Sequence, residues 1–169
     1  MIRIMAELAR RVHDARLLIV GDGPERDDCA RLIRELGLQE HVSMLGQRQD
    51  VGQLLGQMRV LCVTSINEGF SLVAAEAAAA GVPVVGFAVG GLSEVVVDGR
   101  TGYLPPDRDE ARFVGDVQRL LEDETLRARI ARQAEAQSER FSLEQHVSTL
   151  VAEYQRAESL RKDHPQGPA

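Results

Sequence analysis

Short apolar runs alternate with amphipathic stretches along this chain, and that alternation lays out its elements. Ile2, Met5, Leu8, Ala9 and Val12 recur at helical spacing and predict an opening helix. Residues 16–20, 42–45, 60–63 and 84–87 are brief apolar runs bounded by turn residues, the pattern of strands buried on both faces. Gly21-Asp-Gly-Pro24 leads from the first strand into a helix. Pro24 suits that helix's first position, Glu25, Asp27 and Asp28 its first turn, and Gly37 the position just past its end. Gly81 and Pro83 punctuate the link from an Ala-rich helix to the fourth strand. Residues 102–104 predict a short fifth strand, ended by Pro105-Pro106. Beyond Asp109 the pattern is helical almost to the end, with a break at Phe141-Ser142. There Ser142 can N-cap the last helix, with Gln145 at its third position. Helices alternating with short strands predict an α/β fold, a Rossmann-like parallel sheet flanked by helices. One domain is expected over residues 1–160 and a flexible tail over 161–169, where Pro165 and Pro168 fray the final residues.

Composition narrows the function classes. A chain of 169 residues with 44% apolar and 27% charged residues is ordinary for one globular domain. A net charge of −6 gives no basic field to hold nucleic acid or an anionic membrane. The opening residues lack the apolar core of a signal peptide, and no apolar run approaches a membrane span, so a cytoplasmic setting without an integral membrane segment is expected. Cys29 and Cys62 read as small apolar fillers of a helix and a buried strand, and no Cys/His spacing suggests a zinc site. His13, His41, His146 and His164 are scattered and take no role.

The candidate chemistry lies in Glu68-Gly-Phe-Ser-Leu-Val-Ala-Ala-Glu76. Val60-Leu-Cys-Val63 upstream is a strand, Thr64-Ser65 opens the loop, and the Ala-rich run is a helix. Glu68 therefore belongs to a loop tip and Glu76 to the first turns of the helix. Their spacing lets both reach one crevice at the carboxyl end of a parallel strand, where α/β proteins bind ligands. A carboxylate accepts hydrogen bonds from two neighbouring hydroxyls, so it suits a diol. The bland alternatives are a solvated Glu68 and a surface Glu76, although Ala74, Ala75 and Ala77–Ala80 make an idle carboxylate at Glu76 poorly placed. Around residues 69–72 the free amides and positive end of the helix form an anion site, and Ser71 also fits a plain N-cap. Gly21-Asp-Gly-Pro24 is a weak dinucleotide signal, because Arg26 stands at the third glycine position of that fingerprint.

The chain resembles the retaining family-4 glycosyltransferases, enzymes with the two-domain GT-B fold. The resemblance covers residues 7–154. It rests on Leu17-Leu-Ile-Val-Gly-Asp-Gly-Pro24, Val42-Ser-Met-Leu-Gly46, the Glu68–Glu76 motif, Gly81-Val-Pro-Val-Val85, Gly90-Gly-Leu-Ser-Glu94 and Asp98-Gly-Arg-Thr-Gly102, in family order. These match the carboxyl-terminal, donor-binding half. The resemblance implies transfer of a hexosyl group from a nucleotide-diphosphate sugar donor to an acceptor hydroxyl, with no cofactor and no metal.

It also implies residue roles. Glu76 would hold the ribose hydroxyls and Glu68 the donor sugar, while stabilising positive charge at the anomeric carbon. The amides of Gly69, Phe70, Ser71 and Leu72 would approach the sugar and its distal phosphate, and Arg48 would lie near the base. Gly90-Gly91 reads as a backbone turn lining the cleft floor. In the family this half opens with a central strand bearing a Gly-Arg pair and a loop bearing Lys, and neither is found before the first helix here. The first strand and an N-terminal acceptor-binding domain would then be missing, leaving a fragment of low stability, inactive alone. The strands either side would meet across a gap or expose unpaired edges. A partner-dependent or non-catalytic nucleotide-sugar-binding module, and a GT-B epimerase or glycogen-synthase-like enzyme, are the alternatives.

Overall fold

The computed structural model describes residues 1–163, the side chains as far as Glu158. Its strands are β1 (Leu17–Val20), β2 (Val42–Gly46), β3 (Leu61–Val63), β4 (Val84–Gly86) and β5 (Gly102–Tyr103). All pairings between them are parallel, in the two orders β1-β2 and β3-β4-β5. The helices are α1 (Ile2–Arg11), α2 (Arg26–Glu35), α3 (Val51–Leu55), α4 (Leu72–Ala79), α5 (Leu92–Val95), α6 (Glu110–Glu122), α7 (Glu124–Ser138) and α8 (Leu143–Asp163). A 3-10 turn, Glu139–Phe141, joins the last two.

Two apolar clusters cover the two faces of the β3-β4-β5 sheet, and the first of them also takes in β1 and β2. Val84 and Val85 are adjacent in β4 and both buried, yet belong to different clusters, because neighbouring strand residues point to opposite faces. On one face Val85 and Phe87 meet α1 and α6, with the Phe87 and Phe113 rings 5.0 Å apart. On the other, Val63 and Val84 pack on Ala74 and Ala77 of α4 and Leu92 and Val95 of α5. The alanines leave room for α7 to lie close to α4, which is why that stretch carries no larger side chains.

Gly37 ends α2 as expected: its φ is +66°, and the Leu38 amide reaches back 2.9 Å to the Ile33 carbonyl. Ser142 caps α8 through its hydroxyl, which accepts the Gln145 amide at 3.2 Å. Pro24 does not open α2. The helix begins two residues later, with Glu25 at its N-cap, so only Asp27 and Asp28 sit in the first turn. The long carboxyl-terminal helical stretch is broken a second time at Asp123, whose carboxylate accepts the Leu126 amide at 2.8 Å and starts α7. Helix α8 takes in residues 161–163, which the sequence assigns to the tail; residues 164–169 lie outside the described part.

The facing edges of β1 and β3 are not hydrogen-bonded to each other. Between them lies a cleft of about 520 Å³ bordered by both strands, α1 and α6. The divided sheet is the gap that the family resemblance implies.

Candidate functional site

Two loops at the carboxyl ends of β3 and β4 build the site. The first carries Glu68 and Gly69 into α4; the second carries Gly90-Gly91 into α5. Their backbones touch. The Gly91 amide donates to the Glu68 carbonyl at 2.9 Å. A Cβ at Gly90 would lie 1.8 Å from that carbonyl oxygen, and one at Gly91 would lie 2.2 Å from the Gly69 oxygen. Gly90 also has φ +53°, a left-handed conformation that side chains other than glycine's seldom adopt. Only two glycines allow this approach, so the Gly90-Gly91 turn seats the Glu68 loop.

At the mouth of α4, Ser71 takes the N-cap position with extended backbone. The first intrahelical bond runs from the Ala75 amide to the Ser71 carbonyl, so the amides just before it have no helical acceptor. Ser71 makes no side-chain cap bond; its hydroxyl is fully buried and lacks a partner. Gly69, Phe70 and Leu72 are exposed, Leu72 at 70%. Glu68 is half-buried and Glu76, one turn into the helix, is exposed beside the buried Ala74 and Ala77. Among the described residues neither carboxylate is committed to an ion pair.

Arg48 is placed apart. It follows β2, in the other sheet, and its guanidinium forks onto Asp50 at 2.8 and 2.6 Å. That hydrogen-bonded pairing holds the Asp50 carboxyl below its ordinary range. Gly21-Asp-Gly-Pro24 lines a separate pocket of about 360 Å³ with Arg26, Cys29 and Met44.

Sequence reading missed the strut behind the Glu68 loop. The Phe70 ring meets Phe141 edge-on with centroids 5.4 Å apart, and the Arg140 guanidinium lies 4.5 Å from the Phe141 centroid. Arg140 donates to the Glu94 carbonyl and Gln137 to the Val95 carbonyl, tying the end of α7 to α5. Nothing local to Arg140 or Gln137 marks this role, since it depends on which helices meet.

The family model for glycosyl transferases group 1 matches residues 1–137. The chain belongs to this family. N-acetyl-alpha-D-glucosaminyl L-malate synthase of Bacillus anthracis is 38% identical over 83% of the chain, which corresponds to 37% of that relative. D-inositol 3-phosphate glycosyltransferase of Mycolicibacterium smegmatis is 34% identical over 98% of the chain and 40% of its own length. This group 1 chain thus spans about two fifths of the curated relatives it matches. HepE of Anabaena, solved with UDP-glucose, is 28% identical with a TM-score of 0.77 over 95% of the chain and 44% of HepE. Sucrose-phosphate synthase of Thermosynechococcus elongatus gives 27% and 0.81 over 94% of the chain and 42% of its own. The group 1 chain therefore has the α/β fold of GT-B glycosyltransferases, matched over part of their length. Among its described residues no helix is long and apolar enough to cross a membrane.

Proposed function

We propose that this chain is the donor-binding part of a retaining glycosyltransferase, one that moves a hexosyl group from a nucleotide-diphosphate sugar to an acceptor hydroxyl. The observation that carries the reading is the seating of the Glu68 loop on Gly90-Gly91, beside the open amino terminus of α4. A carboxylate fixed there can clamp sugar hydroxyls and offset positive charge developing at the anomeric carbon. The unpaired amides of residues 69–72 and the helix dipole suit the leaving diphosphate. Glu76, exposed on the first turns of α4, is the clamp for the ribose diol, and the binding of UDP and glucose by HepE supports a nucleotide-sugar donor. Arg48 acts near the base only if it exchanges Asp50 for ligand. Acceptor binding and water exclusion come from an acceptor-binding domain outside these residues, and the chain alone is inactive.

The direct test is calorimetric titration of the chain with nucleotide-sugar donors, before and after Glu76→Ala. Hydrogen bonds to a charged group contribute about 1.5–3 kcal/mol each, so the variant should bind at least about tenfold more weakly. Equal affinity would remove Glu76 from the site. Donor binding that persists without any turnover, after the chain is joined to an acceptor-binding half, would favour the non-catalytic module instead.

A further inference from the structure

The Glu68 loop is held from two sides. On one, the Gly91 amide donates to the Glu68 carbonyl at 2.9 Å. On the other, the Phe70 ring meets Phe141 at 5.4 Å between centroids, the two planes inclined by 68°. These rings are not equally fixed. Phe70 is 45% exposed, whereas Phe141 packs against the buried cluster that contains Leu92 and Val95 of α5. Arg140 holds Phe141 further, its guanidinium 4.5 Å from that ring's centroid while donating to the Glu94 carbonyl. Gln137, one turn earlier on α7, donates to the Val95 carbonyl at 3.2 Å. Because α5 starts directly after Gly90-Gly91, the contacts close a circuit. It runs from the Glu68 loop to Gly91, through α5 to Arg140 and Phe141, and back through Phe70.

We propose that Phe141, braced by Arg140, is a positioning residue that orients the Glu68 carboxylate loop. It acts through Phe70 and touches no substrate. Its value to the reaction rests on Glu68 being the carboxylate that faces the donor sugar. Phe141 follows residues 1–137, the part that the family model matches, so membership of the family does not by itself give it a role. One hydrogen bond at Gly91 fixes a point on the loop and not its orientation. A second hold two residues past Glu68 removes that freedom. An edge-on aromatic pair suits the task, because its attraction depends on how the rings are inclined and not on apolar bulk alone.

The test is a double-mutant cycle on the 169-residue chain with Phe70→Leu, Phe141→Leu and both together. Leucine keeps apolar volume and removes the ring, so each variant retains its packing. The readout is hydrogen exchange at the Gly91 amide, whose acceptor is the Glu68 carbonyl. Each single variant should speed that exchange by about twofold to tenfold, the range of an aromatic pair, and the double variant by less than the product of the two factors. The Val96 amide, bonded to the Leu92 carbonyl at the end of α5, should keep its rate, which separates lost positioning from a loosened helix. Phe141→Tyr keeps the ring and should restore native exchange. Titration with UDP-glucose and GDP-mannose adds the functional readout. The loop also carries the amides of residues 69–72, so Phe141→Leu should weaken whichever donor binds by about twofold to tenfold, with Phe141→Tyr restoring it. A chain that binds neither donor yet shows the coupled exchange would count against the donor reading and leave the positioning intact. The proposal is overturned if Phe141→Leu leaves both Gly91 exchange and donor affinity unchanged. It is overturned equally if the two single effects multiply in the double variant, or if Val96 speeds up as much as Gly91.

Discussion

At the scale of single residues, the Glu68–Glu76 spacing was readable because it joins a strand end, a loop and a helix within one short segment. The seat beneath it was not. Gly90-Gly91 reads as a turn in the sequence, but that its backbone presses on the Glu68 carbonyl depends on β3 and β4 being neighbours. Gly90→Ala should therefore displace the Glu68 loop, costing about 1–3 kcal/mol of stability for strained backbone and contact, and weakening donor binding with it. Gly115→Ala is the control. It lies in α6 with nothing within 4 Å of its added carbon, so it should stabilise by about 0.5–1 kcal/mol. Thermal unfolding of both variants checks the contrast, and similar changes in the two would contradict the seating. Glu68 itself is a question of charge. If its carboxylate acts chiefly in the transition state, Glu68→Gln in a catalytically complete protein lowers kcat and kcat/KM together, with donor affinity nearly intact. Loss of affinity alone would assign it to ground-state binding.

Among elements, α1 was legible from its helical repeat, the five strands from apolar runs bounded by turn residues, and the start of α8 from Ser142 with Gln145 three residues on. Helices α3 and α5 escaped, with five and four residues and little over one turn each. The Asp123 break escaped too: Glu122-Asp-Glu124 resembles a solvated helix face until the Leu126 amide is seen on its carboxylate. Strand β3 carries a pH signature. Burial pushes the Cys62 thiol up to about 12 from an ordinary 9.0. The folded chain therefore keeps a proton that the unfolded chain releases above 9, and stability contributed by the neutral thiol declines as pH rises from 9 toward 12. Urea midpoints at about pH 7.5 and about pH 10.5 should fall more for the native chain than for Cys62→Ala, which has no such proton to hold. Parallel declines would mean that the thiol titrates alike in both states.

For the whole molecule, the division into two sheets decides most. The purified 169-residue chain is expected to show no donor-dependent transfer to sugar acceptors, since positioning an acceptor and excluding water supply about 7–11 kcal/mol of rate enhancement when fully used. Robust turnover by a verified monomer would require an acceptor site within this domain. One further consequence belongs to α8. Its described apolar side chains, including Leu143, Val147 and Tyr154, lie in the open, and its contacts with the rest run mainly through the turn Glu139–Phe141. Twenty-one residues at 1.5 Å each make a rod of about 32 Å. At its base lies Phe141, whose ring stands 5.4 Å from that of Phe70 in the Glu68 loop. A tilt of about 5° at the base of a rod that long sweeps its tip by about 3 Å, so small changes at the turn Glu139–Phe141 are largest at the far end of α8.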